Sequence, residues 1–107
     1  MCGRFSIHLA DLDELREPFA LDRIRIDAWS PRYNVAPTQH APVIVCRPER
    51  SLELLRWGLV PRFAVELAAG NKLINARIET AAQRPSFREA MVARRCIVPV
   101  TGFYEWK

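Results

Sequence analysis

Apolar and polar positions alternate over residues 2–9, CGRFSIHL, which predicts a strand. From Asp11 the period changes. Glu14 follows Asp11 at capping-box spacing, and Leu12, Leu15 and Phe19 fall on one face, so a helix is expected to start there. Pro18 limits how regular its end can be. Residues 29–42 hold Pro31, Pro37 and Pro42 with little periodicity and read as a loop. Next, PVIVCR and LELLRW, separated by Pro48-Glu49-Arg50-Ser51, predict a β-hairpin. Gly58 and Pro61 break the chain after Trp57. A short helix is expected over Phe63–Ala69, ended by Gly70. LINARI, residues 73–78, suits a strand or a turn. The clearest helix signal has Ser86 as its cap, Glu89 three positions on, and Phe87, Ala90, Met91 and Arg94 at helical spacing. CIVPV and GFYEW are β-rich, with Gly102 between them.

No repeat, low-complexity stretch or internal boundary interrupts this order, so residues 1–107 read as one domain. No turn signal or polar tail follows the last aromatic β segment, and the chain is expected to stop in mid-domain. At 50% hydrophobic and 26% charged residues, the composition is that of a globular chain, and disorder is excluded. No apolar run approaches the ~20 residues of a membrane helix. No basic start precedes an apolar stretch, so a secretory signal is not expected either.

The net charge of +4 is unevenly spread. Residues 1–53 carry 7 basic and 8 acidic side chains, whereas residues 54–107 carry 9 and 4. Lys72 and Lys107 are the only lysines. An arginine-rich half suits a phosphate or nucleic-acid surface, and it equally suits an ordinary solvated face. The cysteines Cys2, Cys46 and Cys96 are odd in number and widely spaced, which argues against a disulfide framework and a structural zinc site. A reducing, cytoplasmic setting fits them. Cys46 and Cys96 sit in apolar runs and are expected to be buried as small hydrophobes.

Cys2 differs. Removal of Met1 would leave it with a free α-amine beside its thiol. Reference pKa values of about 7.7–8.0 and 8.5 give both groups a reactive fraction near neutral pH. Such a 1,2-aminothiol condenses with an aldehyde to an imine, and the thiol then closes a thiazolidine ring. An internal cysteine cannot do this, because its nitrogen is an amide. The segment Arg32-Tyr33-Asn34-Val35-Ala36-Pro37 offers phosphate contacts and a stacking surface, or is simply a rigid turn. Trp57 is either core or an apolar wedge against bases. Asn75 can donate and accept hydrogen bonds, and Arg77 can hold a phosphate bidentately. Glu105 lies in an aromatic strand. There it is either a desolvated general acid or base, or a solvent-facing residue of a half-exposed strand.

In combination the blocks MCGRF, RYNVAPTQ, WGLVP, INARIET and RRCIVPVTGFYEWK resemble the SRAP (SOS response-associated peptidase) domain family, which processes abasic sites in DNA. The resemblance runs over the whole chain. It implies an α+β fold with a predominantly antiparallel, barrel-like sheet core and short flanking helices. It also implies crosslinking of Cys2, exposed by loss of Met1, to the ring-opened aldehyde of an abasic site in single-stranded DNA. On the same basis Asn75 orients the Cys2 amine or the opened sugar, and Glu105 acts as acid and base on the sugar and the Schiff base. Arg4 and Arg77 grip flanking phosphates, while Asn34, Pro37, Trp57 and Trp106 contact the DNA. No metal or organic cofactor is implied.

The departure from the family lies at the C-terminal end. The family's domain continues past FYEW and supplies a catalytic histidine from a later motif, whereas His8 and His40 lie in no matching motif. The chain is therefore expected to be a fragment of that domain, or a second chain supplies the rest. Two alternatives stay open on the residues alone. One is a hydrolase with an N-terminal cysteine, a peptidase or a glutamine amidotransferase. The other is a non-catalytic single-strand binding module.

Overall fold

The computed structural model describes residues 2–105. Six strands form two sheets. The first has the order β3 (Arg32–Val35), β1 (Arg4–Ile7), β6 (Gly102–Tyr104), with both pairings antiparallel. The second has the order β2 (Arg23–Ile24), β5 (Arg50–Arg56), β4 (His40–Cys46); β4 and β5 form the expected hairpin, and β2 joins β5 in parallel. An isolated bridge between Ile44 and Ile97 ties the last third of the chain to β4. The α+β class is thus as expected. No closed barrel forms among the described residues; the strands stay in two separate sheets.

Two buried clusters hold these layers. Leu12, Leu15, Leu21, Ile44 and Leu52 form one, and Phe5, Ile7, Val35 and Ala41 the other. Trp29 packs against both, with its indole N–H donating to the Leu9 carbonyl at 2.8 Å. β4 is buried from Ala41 to Val45, which explains its unbroken apolar run. Ala41 turns to the Phe5 cluster and Ile44 to the Leu52 cluster, so this strand separates the two cores.

Several local expectations need correction. The capping box at Asp11 and Glu14 forms, but it opens only a 3₁₀ turn, Leu12–Leu15. Pro18 lacks the N–H needed to extend that turn into an α-helix. The segment read as a loop contains β3. A register irregularity between Phe5 and Ile7 breaks the period of two in the β1–β3 ladder, which hides the strand from pattern reading. The helix expected over 63–69 is instead a 3₁₀ segment at Leu67–Lys72, and Gly70 lies buried inside it rather than ending it. The α-helix α1 spans Pro85–Ala93, with Arg84 at the cap position and no side-chain cap bond. Proline is pre-organised for the first helical turn, so the start falls at Pro85 and Ser86 lies within the helix. Cys46 and Cys96 are exposed, not buried. Cys46 ends β4 at the hairpin, where its thiol donates to the Pro48 carbonyl at 3.2 Å. Local desolvation still pushes the Cys96 thiol above its ordinary pKa.

Candidate functional site

Cys2 precedes β1 and is half-buried, its thiol donating to the Arg4 carbonyl at 3.3 Å. It lines an open groove of about 790 Å³ between the sheets. Phe5, Val43, Val45, Leu55, Val98 and Phe103 contribute to the groove's apolar wall. The walls come from both sheets and from the segment after α1, so the groove exists only because β1, β4 and β6 are brought together.

Asn75 reaches the same place from the other side of the sequence. Its side-chain amide Nδ2 donates to the Cys2 carbonyl oxygen at 2.8 Å, and it is half-buried. The segment carrying it has no regular secondary structure. It is held by hydrogen bonds from the break after β5: Leu59 N–H donates to the Leu73 carbonyl at 2.9 Å, and Trp57 Nε1–H to the Ile74 carbonyl at 3.0 Å.

Glu105 follows β6. Arg4 pairs with Tyr104 in the β1–β6 ladder, so one further step carries Glu105 to the level of Gly3, beside Cys2. In the described residues Glu105 is exposed, which agrees with the solvent-facing reading of its strand and not with the desolvated one. Trp106 lies outside the described residues.

Trp57 is part core and part site. Its ring packs on Phe5 with centroids 5.2 Å apart, its indole N–H is taken by Ile74, and it also lines the groove. The Pro37 turn is joined directly to it. Thr38 N–H donates to the Trp57 carbonyl at 2.9 Å, and Trp57 N–H donates to the Gln39 carbonyl at 3.0 Å. The Pro37 turn and Trp57, twenty positions apart in sequence, are therefore tied backbone to backbone.

Arg4 and Asn34 form a second grouping. Arg4 Nη1 donates to Asn34 Oδ1 at 3.2 Å. Alternation along β1 sends Arg4, Ser6 and His8 to the sheet face opposite Phe5 and Ile7. His8 there stacks on Tyr33 at 5.1 Å, and the Tyr104 hydroxyl donates to the Tyr33 carbonyl at 2.8 Å. Arg77 is exposed two positions beyond Asn75, and its carbonyl accepts from Thr80 N–H and Ala81 N–H at 3.1 and 2.8 Å. The structure thus sets Asn75 against Cys2, which lines the groove together with Trp57, joins the Pro37 turn to Trp57 by backbone hydrogen bonds, and puts Arg4 with Asn34 on the opposite sheet face.

Sequence patterns do not mark Arg56 as part of this site. Arg56 lines the groove and donates from Nη2 to Asn71 Oδ1 at 2.6 Å. Its place immediately before Trp57 is the one signal that could have found it. The excess positive charge of the second half is partly spent internally: Glu89 holds both Arg62 and Arg94. Among the described residues no cluster of three or more His, Cys, Asp or Glu side chains could hold a metal ion. Nor is any helix of these residues long and apolar enough to cross a membrane.

Comparison with known proteins agrees with the motif reading. The profile of the SRAP family, described as SOS response associated peptidase, matches residues 1–107. Abasic site processing protein YoqW of Bacillus subtilis (strain 168) is 43% identical over 109 residues, covering 100% of this chain and 48% of YoqW. Abasic site processing protein HMCES of Pongo abelii is 32% identical over 138 residues, covering 100% of this chain and 36% of that protein. A crystal structure of a protein from Bordetella bronchiseptica superposes with a TM-score of 0.73 at 32% identity, over 97% of this chain and 50% of the other. The chain spans about half the length of YoqW and about a third of that of HMCES. With the family profile matched from end to end and the same fold found in a solved relative, the chain belongs to the SRAP (SOS response associated peptidase) family.

Proposed function

We propose that this chain forms the cysteine-bearing part of a protein that captures abasic sites in single-stranded DNA covalently. The observation that carries the reading is the hydrogen bond from Asn75 to the carbonyl of Cys2, which lines the groove. It fixes the residue whose amine and thiol share one backbone unit, and engages neither of those two groups itself. With Met1 removed, the Cys2 α-amine attacks the aldehyde carbon of the ring-opened sugar. Water leaves and an imine forms. The thiol then adds across the C=N bond, sulfur to carbon and proton to nitrogen, and a thiazolidine closes with no external oxidant or reductant.

In this reading Glu105, next to the Cys2 end of the β1–β6 ladder, moves protons during ring opening. It takes one from the anomeric hydroxyl and returns one to the ring oxygen. Arg4 with Asn34, together with Arg77, contacts phosphates on either side of the lesion. The groove-facing part of Trp57 and the Pro37 turn bear on neighbouring bases, and the peptidase step is limited to exposing Cys2. The open groove receives further polypeptide, which completes a barrel-like core around the site. The similarity to proteins named for abasic site processing and the convergence of distant motif blocks on one groove both support this reading.

The test is a denaturing gel of the protein incubated with an abasic single-stranded oligonucleotide. Wild type is expected to give a stable adduct. Cys2→Ser retains the amine and can form an imine, but cannot close the thiazolidine. Equal yields of stable adduct from both would defeat the proposal.

A further inference from the structure

We infer that Gly58 and Gly70 are positioning residues whose backbone-to-backbone contact sets where Asn75 meets Cys2. The inference rests on the proposed reading only in taking Cys2 and Asn75 as the site. Gly58 has φ +127°, a conformation that L side chains rarely adopt. A Cβ on Gly58 would also stand 2.5 Å from the Gly70 carbonyl oxygen. Gly70 is buried, and a Cβ there would stand 2.9 Å from the Gly58 oxygen, 3.1 Å from the Leu59 oxygen and 3.0 Å from Val60 Cγ2. Two of these three neighbours are backbone atoms, which no rotamer change can move aside.

The glycine contact lies directly upstream of the segment that carries Asn75, and that segment has no helix or ladder to hold it. Among the described residues it is tied to the 57–59 break by the Leu59–Leu73 and Trp57–Ile74 hydrogen bonds, whose ends lie within four positions of one glycine or the other. Arg56, gripping Asn71, closes the same junction from the other side. Ordinary contact between a Cβ and its neighbours lies at 3.4–4 Å, so a methyl at Gly70 must push the two segments apart by several tenths of an ångström. The Asn75 bond to Cys2, now 2.8 Å, receives that displacement through Leu73 and Ile74. Hydrogen bonds weaken as they stretch past about 3.2 Å.

The test uses Gly70→Ala in the full chain, with two readouts. The first is the NMR signal of the Asn75 side-chain amide, which needs no DNA. The second is the rate of adduct formation with an abasic single-stranded oligonucleotide, in the wild-type and Asn75→Ala backgrounds. Gly70→Ala is expected to shift the Asn75 amide and to slow capture by roughly 10-fold, since a full 1 Å misplacement can cost ~10²-fold and this one is several tenths of an ångström. In the Asn75→Ala background it is expected to add little, because the two changes act through one contact. Equal slowing in both backgrounds, or an unmoved amide signal, overturns the inference. Should Gly70→Ala fail to fold, Trp57→Phe decides. It keeps a ring and removes the N–H that holds Ile74, and an unmoved Asn75 amide there overturns the inference too. If wild type captures no abasic DNA, the proposed function fails, while the amide signal still tests the junction.

Discussion

The contact between Asn75 and Cys2 makes the most direct prediction. In Asn75→Ala the Cys2 carbonyl loses a donor at 2.8 Å in a half-buried position. A typical hydrogen bond contributes about 0.5–1.5 kcal/mol net, and an acceptor left unsatisfied costs up to about 3 kcal/mol. At about 1.36 kcal/mol per factor of ten, this corresponds to a slowing of about 2- to 160-fold if the bond holds Cys2 in its reactive geometry. Asn75→Asp keeps the shape but places a carboxylate oxygen against the carbonyl oxygen. It should be slower than Asn75→Ala, because repulsion replaces a missing attraction. The assay follows the first-order rate of adduct formation with an abasic oligonucleotide, alongside binding of the undamaged strand. Binding should change less than about twofold, since Asn75 faces the Cys2 backbone and not a phosphate. A rate for Asn75→Asp equal to wild type would refute the reasoning, because it would show that the carbonyl contact positions nothing.

Other outcomes follow from the same geometry. Glu105→Gln should slow capture by ~10²–10⁴-fold, the usual worth of general acid–base help, with undamaged-strand affinity unchanged in a gel-shift titration. Arg4→Ala and Arg77→Ala should each weaken binding to undamaged single strands and reduce the slope of log affinity against log salt by about 0.7, the value of one phosphate contact. Leu52→Ala should cost about 2–5 kcal/mol by denaturant unfolding, because Leu52 is 0% exposed in the cluster that joins β5 to the first 3₁₀ turn. The Cys96 thiol is raised by desolvation, so its protonated form is the one favoured in the folded state. That contribution to stability is fully present below the unfolded thiol pKa of about 8.5 and lost as pH rises through the higher folded value; Cys96→Ala should flatten the fall.

The hairpin, the first capping box and the β character of both ends were legible because each rests on local chemistry. The apolar run of β4 and the Asp11–Glu14 spacing are complete within a few residues. What escaped depended on partners far away. β3 looks like a loop because a bulge against β1 breaks its alternation, and the strand exists only through that pairing. Gly70 looks like a helix stop because nothing nearby says that Gly58 packs against it. The site shows the same division. Cys2 stood out from its own position, and Asn75 from its motif. The hydrogen bond between them spans 73 positions, and no local pattern contains it. Glu105 was legible as a candidate, but whether it is exposed depends on what covers the end of β6.

The apolar wall of the groove makes cover at that end testable. Val98 and Val100 are each 45% exposed and Phe103 is 62% exposed, and all three line the groove with Cys2. An apolar surface of this kind beside a candidate reactive residue is stabilised by cover. YoqW and the Bordetella bronchiseptica protein carry about as much chain again as the part that matches here. Cover from such polypeptide would also exclude bulk water from the neighbourhood of Glu105, where the proposed reaction moves its protons. The 107-residue chain alone should therefore capture abasic DNA slowly. Polypeptide equivalent to the remainder of a relative, added in trans, should accelerate capture and protect Val98, Val100 and Phe103 from hydrogen exchange. The acceleration should vanish in Glu105→Gln, because cover acts on the rate through that carboxyl. Full-rate capture by the monomeric chain alone would show that the open groove needs no cover, and the account of Glu105 would fall with it.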